Sequence, residues 1–408
     1  MTDPDTPLRV AYLCDFDPFD QMVYSGGNAR LFAALKANVD DVHVLDNGWG
    51  RLERVNKRIR KLPHSVELRL RWRAHLAMSP VLARHVERQL AQGDYDVLFG
   101  AYSFHSMCGV RVPDGMVTAY TSDATPTIYK RSPVGQSFGS FIGVSRLLDP
   151  AITRAERATF RKTDLLLWAS DWLHEEAVDL YGLDPDQSHV VNWGANIDPP
   201  APEAAPLPIA PDAPLRLLFV GRDWAAKGGP TTVAVLRMLR AQGIDARLSV
   251  VGTEPPPEDM DDAIDVYRFL DKSDPAQLAL FTDLYRTAHF MVMLSFESYG
   301  FAYCEASAYG LPSLAMRVAG VPVREGVNGH AFAIGTAPEE LANRIHAYLA
   351  DPASYAALRL ATRTEYEERL NWDAWGRRTA ALLRAKVTAR RALSQGRDSA
   401  QSHANRAP

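Results

Sequence analysis

The sequence predicts two doubly wound α/β domains, each a parallel sheet with helices on both faces. Three observations predict it. Short apolar runs alternate with longer amphipathic stretches along most of the 408 residues, the pattern of repeated βα units. A proline-rich segment, residues 199–214, interrupts that pattern near the middle, and the pattern then restarts. The length suits two or three domains, and an apolar share of 47% suffices for full-sized cores.

In the first half, strands are expected at 8–13, 41–45, 97–100, 116–121, 165–169 and 189–192. A helix over 170–181 falls between the last two, with Ser170 as N-cap and Gly182 as its stop. Residues 199–214 read PPAPEAAPLPIAPDAP. Such a stretch forms neither helix nor inner strand, so it is read as an extended linker between a first domain (1–198) and a second (215–387). The second half supplies strands at 215–220, 246–251, 290–294 and 313–316, with helices beginning near Pro230, Pro275, Phe301 and Pro338. The two domains are expected to face each other across a hinge. Residues 388–408, rich in Arg, Ser, Gln and Ala without an apolar stripe, are expected to be a disordered tail.

Composition narrows the function. Lys and Arg (45) nearly balance Asp and Glu (49), a net charge of -4, which argues against a dedicated nucleic-acid binder. The longest apolar runs fall far short of the roughly 20 residues of a membrane-spanning helix. The polar, acidic N-terminus lacks the basic region and cleavage site of a signal peptide, so a cytoplasmic protein is expected. Cys14, Cys108 and Cys304 are widely spaced and read as reduced, buried thiols.

In doubly wound sheets, ligands bind beyond the carboxyl ends of the strands, so the loops there carry the chemistry. After 215–220 comes Gly221-Arg222-Asp223-Trp224-Ala225-Ala226-Lys227-Gly228-Gly229, and Pro230 then opens a helix. Two cations, flexible glycines and a helix N-terminus suit a diphosphate, although a tight turn with solvated cations has the same composition. After 290–294 comes Ser295-Phe296-Glu297-Ser298-Tyr299-Gly300-Phe301-Ala302-Tyr303-Cys304-Glu305. Glu297 sits in the loop and Glu305 in the following helix. Glu305 lies among apolar neighbours, where an ionised carboxylate needs partners such as a vicinal diol.

At these residues the sequence resembles glycosyltransferase family 4, nucleotide-sugar-dependent retaining enzymes of GT-B fold with two facing Rossmann-like domains. The resemblance is strongest over 215–330 and rests on the E-x7-E pair Glu297 and Glu305 with Gly300. Gly221-Arg222 with Lys227-Gly228 resembles the family's phosphate loop, and Val266-Tyr267-Arg268-Phe269-Leu270 the segment whose backbone reads the base. Ala308-Tyr309-Gly310-Leu311-Pro312 and Gly326-Val327-Asn328-Gly329 are similar to two further family stretches, and Ser25-Gly26-Gly27 to the glycine loop near the donor phosphates. The resemblance implies that Arg222 and Lys227 hold the diphosphate and Glu305 the ribose. Glu297, with the backbone at Ser298, Tyr299, Gly300 and Phe301, would hold the sugar. Catalytic roles then fall to Glu297, Asp123, Arg222 and Lys227; Gly26, Gly27, Phe269 and Leu270 join the donor site. No cofactor is implied, the nucleotide-diphosphate sugar (a UDP-sugar) being the substrate, and no metal is expected because no clustered His/Asp ligand set is visible.

One stretch departs from the family. Where many members carry a histidine near the reacting carbon, this chain reads Tyr120-Thr121-Ser122-Asp123-Ala124-Thr125-Pro126, with serine in its place. Asp123 remains for a sugar or acceptor hydroxyl, and His105 is a second candidate, either acceptor-side or structural. The expected reaction is sugar transfer to a hydroxyl of a glycan, lipid or small molecule. Rival readings are a nucleotide-sugar epimerase or hydrolase on the same scaffold and a non-catalytic sugar-nucleotide-binding protein.

Residues 51–75 carry Arg51, Arg54, Lys57, Arg58, Arg60, Lys61, Arg69, Arg71 and Arg73 against Glu53 and Glu67. Leu52, Val55, Ile59 and Leu62 recur at helical spacing. This is either a helix packed on its own sheet with a solvated basic face, or a peripheral contact with an anionic inner membrane face.

Overall fold

A computed structural model describes residues 7–404 apart from 22, 50–51, 60, 63, 103, 138–148, 199, 202–206 and 211–212. It divides into two compact units, Met1–Trp193 with Trp372–Pro408, and Gly194–Asn371.

The first unit is built on six parallel strands, β1 (Arg9–Cys14), β2 (Asp41–Val44), β3 (Val97–Ala101), β4 (Val117–Ser122), β5 (Leu165–Trp168) and β6 (Ser188–Val190), in the order β2-β1-β3-β4-β5-β6. The central strands β3, β4 and β5 are buried along their whole length, as continuous apolar runs require when helices cover both faces. Val10 of β1 sits opposite Val42 on one side and Val97 on the other. The strand order therefore reverses between β1 and β3, which makes the loops after these strands the switch point of the sheet. The helix Asp171–Tyr181 starts as expected: Leu173 N donates to the Ser170 hydroxyl at 3.3 Å.

The second unit also has six parallel strands: β7 (Leu215–Val220), β8 (Ala246–Val251), β9 (Ile264–Tyr267), β10 (Phe290–Met293), β11 (Ser313–Met316) and β12 (Gly329–Phe332). Their order is β12-β11-β10-β7-β8-β9. Its switch point lies between β7 and β10. The outer strands β9 and β12 were not expected. β9 carries an aspartate and is half-exposed at the sheet edge, and β12 opens on Gly329-His330, so neither reads as an apolar run.

The C-terminal segment corrects the expected tail. Trp372–Ala404 is one helix, which belongs to the first unit and not to the second. Trp372, Trp375, Ala380, Leu383 and Val387 are buried at helical spacing, and the Trp375 ring meets Phe99 edge-on at 6.2 Å. Within the stripe Arg384 pairs with Asp40 at 2.8 Å, and beyond it Arg391 pairs with Asp96 at 2.6 Å and Arg390 with Asp164. Thus two ion pairs continue the docking of an Ala- and Arg-rich helix where apolar contacts end.

The basic segment forms the helix Glu53–Ile59 and the first turns of His64–Leu90. Val55 (45% exposed) and Leu62 (38%) are exposed while Leu52 and Ile59 are half-buried, so the apolar stripe is only partly covered. Arg51 and Arg60, and the side chains of Glu53, Glu67, Arg69 and Arg71, lie outside the described residues. Among the described residues no helix is long and apolar enough to cross a membrane.

Candidate functional site

The loop after β7 leads into the helix Gly229–Ala241. Gly228 is its N-cap at φ 79°, a left-handed conformation that favours glycine, and a Cβ there would lie 2.5 Å from the Leu294 carbonyl oxygen. The loop is thereby pressed onto the end of β10. Its inner side is fixed by Trp224, whose indole N–H donates to Asp259 Oδ2 at 2.7 Å, and by Asp223, whose carboxylate accepts from Ala226 N at 2.9 Å. No side chain caps the helix among the described residues, and Pro230 stands in its first turn. The Gly228 and Gly229 amides donate to the Ala225 and Trp224 carbonyls and Pro230 carries none, so what this helix start offers an anion is mainly its dipole, with Arg222 exposed and Lys227 half-buried beside it.

The loop after β10 meets this loop directly. Lys227 Nζ donates to Glu297 Oε1, and the Ser295 hydroxyl donates to the same oxygen at 3.2 Å. Gly300, at φ 97°, is the N-cap of the helix Phe301–Ala308; a Cβ there would come within 2.7 Å of the Tyr303 ring. Tyr303 OH is held by the Met293 carbonyl at 2.6 Å, which ties the new helix to the end of β10. Glu305 lies inside this helix, 5% exposed. Tyr285 OH donates to its Oε2 at 3.0 Å, and Lys272 Nζ lies 3.4 Å from its Oε1. Burial, and then the neighbouring Glu305 carboxylate, push the Tyr285 phenol well above its ordinary pKa, so it stays a donor. At the far edge, Arg268, Phe269 and Leu270 follow β9, and Phe269 is 69% exposed, an unusual position for an aromatic ring.

The switch point of the second unit thus brings Lys227 and Glu297 into contact, with Arg222 on the same loop and Glu305 in the helix that follows. Lys272, Tyr285 and Ser295 were not singled out in the sequence. Lys272 and Tyr285 stand 33 and 20 residues from Glu305, and only the fold pairs them.

In the first unit, Gly26 is the N-cap of the helix Gly27–Asn38, and Gly27 is buried at its start. Tyr24 (φ 52°) and Ser25 (φ 53°) just before it adopt left-handed backbone although neither is glycine, a strained arrangement of the kind that collects at binding loops. Ser122 ends β4 and gives its hydroxyl to Ala124 O at 2.6 Å, within its own loop. Asp123 follows it, half-buried. Thr125 caps the next helix and shares a 2.6 Å hydrogen bond with Tyr181 OH. His105 is buried in the short helix Phe104–Met107 after β3.

Residues 28–199 match Glycosyltransferase Family 4, and residues 214–351 match Glycosyl transferases group 1. A D-inositol 3-phosphate glycosyltransferase from Streptomyces bingchenggensis is 30% identical over 49% of this chain and 48% of its own length, so the match spans about half of that relative. A protein of the same name from Kineococcus radiotolerans is 28% identical over 77% of each chain. Among solved structures, Anabaena HepE in complex with UDP superposes with a TM-score of 0.58, at 14% identity, covering 93% of this chain and 100% of that one. Two parallel sheets with their switch points at these loops, and family matches over both halves, lead to one conclusion: the chain belongs to glycosyltransferase family 4 and has the GT-B fold.

Proposed function

We propose that the protein is a retaining glycosyltransferase that moves a sugar from a nucleotide-diphosphate sugar, a UDP-sugar, to a hydroxyl of a glycan, lipid or small molecule. The observation that carries this reading is the contact between Lys227 and Glu297 at the switch point of the second unit. A cation beside a helix N-terminus, paired with a carboxylate and partly open to solvent, is placed to exchange that partner for an anion. An arriving diphosphate competes for Lys227 and releases Glu297 to the hydroxyls of the donor sugar. Glu305, oriented by Tyr285 and Lys272, takes the ribose hydroxyls, and the exposed ring of Phe269 is available beside the base. The UDP complex of the Anabaena neighbour supports uracil as the base. The names of the bacterial relatives support a small polyol phosphate among the candidate acceptors.

In the proposed step, the bond between the anomeric carbon and the diphosphate oxygen breaks as the acceptor oxygen bonds to the same face of that carbon. The acceptor's proton passes to the departing diphosphate oxygen. Arg222, Lys227 and the N-terminus of Gly229–Ala241 stabilise the charge that grows on the diphosphate, more in the transition state than before it. No metal is needed at the diphosphate in this scheme. A phosphate oxygen can accept the proton, so serine at position 122 is compatible with turnover, and Asp123 orients substrate hydroxyls. The test is product analysis: an α-linked UDP-sugar should give an α-linked product by NMR of the anomeric proton, and an inverted linkage would refute retention.

The exposed Val55 and Leu62, beside exposed Arg54, Lys57, Arg58 and Lys61, support a peripheral contact of this segment with anionic lipid. Co-sedimentation with phosphatidylserine vesicles, lost at high salt and in Val55→Asp, tests it.

A further inference from the structure

We propose that Asp15, His75 and His105 form a divalent transition-metal site in the first unit. The sequence showed no ligand cluster because these residues lie far apart along the chain. The fold brings them to the switch point of the first sheet. Asp15 follows β1, His105 follows β3, and His75 reaches the same place from the helix His64–Leu90. One ring nitrogen of each histidine and one carboxylate oxygen of Asp15 lie within 4.8 Å of one another. Ligand atoms about 2.0–2.2 Å from a tetrahedral zinc ion stand roughly 3.3 Å apart, so small side-chain adjustments close the site.

The surroundings are those of a built site. His75 and His105 are 6% and 5% exposed. Trp49 packs on the His75 ring at 4.2 Å and Phe104 on the His105 ring at 4.5 Å, which restricts both imidazoles and keeps the site apolar around its ligands. The carboxylate is also oriented: the Ser106 hydroxyl donates to Asp15 Oδ1, and the Trp49 indole N–H donates to the same oxygen at 3.4 Å. Outer partners of this kind fix ligand geometry in metal sites. Two imidazoles and one carboxylate suit zinc or its neighbours in the first transition row; magnesium and calcium prefer all-oxygen shells. Three protein ligands also leave a coordination position open to water or a hydroxyl. The ion would tie together the loop after β1, the turn after β3 and the long helix between them. It is separate from the diphosphate chemistry proposed above, and its failure would leave that reading untouched.

The test uses the untagged full chain, stripped with a chelator and titrated with cobalt(II) chloride as a spectroscopic probe. The expected result is uptake of one equivalent, with the visible absorption of cobalt in a low-coordinate site, displaced by zinc chloride. His75→Ala, His105→Ala and Asp15→Asn should each weaken binding by about 100-fold or more, with melting curves verifying that each variant folds. X-ray absorption of the zinc-loaded parent, which needs no variant, should show imidazole scattering from two ligands. UDP affinity, measured by calorimetry, should be the same with and without the ion. Substoichiometric uptake at micromolar metal, variants that bind like the parent, or a zinc shell without imidazole would each overturn the proposal.

Discussion

Each unit has a six-stranded parallel sheet, yet the two use carboxyl groups at their loops in opposite ways. In the second unit, the switch point holds a partly open contact between Lys227 and Glu297, and Glu305 leans on Lys272, itself 41% exposed at the side chain. These pairs sit where an incoming anion or diol can replace one partner. In the first unit, the switch point is lined by Tyr24 and Tyr102, stacked at 4.4 Å and both in left-handed backbone. Its buried carboxylate, Glu156, lies under the loop after β4 and accepts from Thr127 N at 3.0 Å and from the Thr127 hydroxyl. The difference teaches that Glu297 and Glu305 stand against half-exposed lysines, whereas Glu156 is buried as a hydrogen-bond acceptor that holds a loop in place and whose ionisation costs stability.

The sharpest way to break this comparison is to remove the exchangeable charge. Lys227→Ala and Arg222→Ala should each lower kcat/KM by about 100-fold or more, because each removes a charge-assisted contact to the leaving diphosphate. Initial rates in folded variants within threefold of the parent would show that the loop after β7 is only a turn. The two glutamates should separate next. Glu305→Gln should weaken UDP binding by about 10- to 100-fold, in line with a hydrogen bond to a charged group. Glu297→Gln should spare UDP and lose turnover with the intact donor. Equal losses for both variants with both ligands would mean that the two roles are misassigned.

The loop-holding carboxyl group makes a prediction of its own. Burial pushes Glu156 up to about 7, against the hydrogen bonds from Thr127, first its side chain and then its backbone. An unfolded glutamate titrates near 4.3, so between about pH 4 and pH 7 the folded chain binds more protons, and stability falls as pH rises. Glu156→Gln should remove roughly 2 kcal/mol of that fall between pH 5 and pH 8. Denaturant unfolding of parent and variant at the two pH values measures it, and parallel behaviour would show that Glu156 does not titrate in this window. The smallest effect is expected at Ser122, whose hydroxyl is spent on its own loop: Ser122→Ala should keep turnover within about threefold. Complete inactivity with normal donor binding would assign chemistry to that hydroxyl.

Much of the fold was legible because parallel strands buried on both faces leave an unmistakable mark. β1, β3, β4, β5, β7, β8, β10 and β11 all fall on apolar runs closed by Gly, Pro or polar residues. The edge strands of the second unit, β9 and β12, escape this signal, whereas β2 and β6 at the edges of the first were legible as short apolar stretches. The helix Trp372–Ala404 escaped for another reason: past Val387 it is anchored by arginines to aspartates of distant strands, and no periodicity in one segment encodes such partners. The same limit applies to the candidate site. Lys227 and Glu297 were visible because each lies in a loop with helix-start chemistry of its own. Lys272, Tyr285 and the Asp15, His75 and His105 cluster were not, since each acquires meaning only from a neighbour brought in by the sheet order.

The central claim, that the switch point of the second unit holds the diphosphate through Lys227, is tested most directly by calorimetry with UDP and with uridine. The parent should bind one UDP per chain. Lys227→Ala should lose at least about tenfold in UDP affinity, as expected for one charge-assisted contact, and bind uridine, which lacks the phosphates, as the parent does. UDP affinity unchanged in Lys227→Ala, or an equal loss for uridine, would contradict the account.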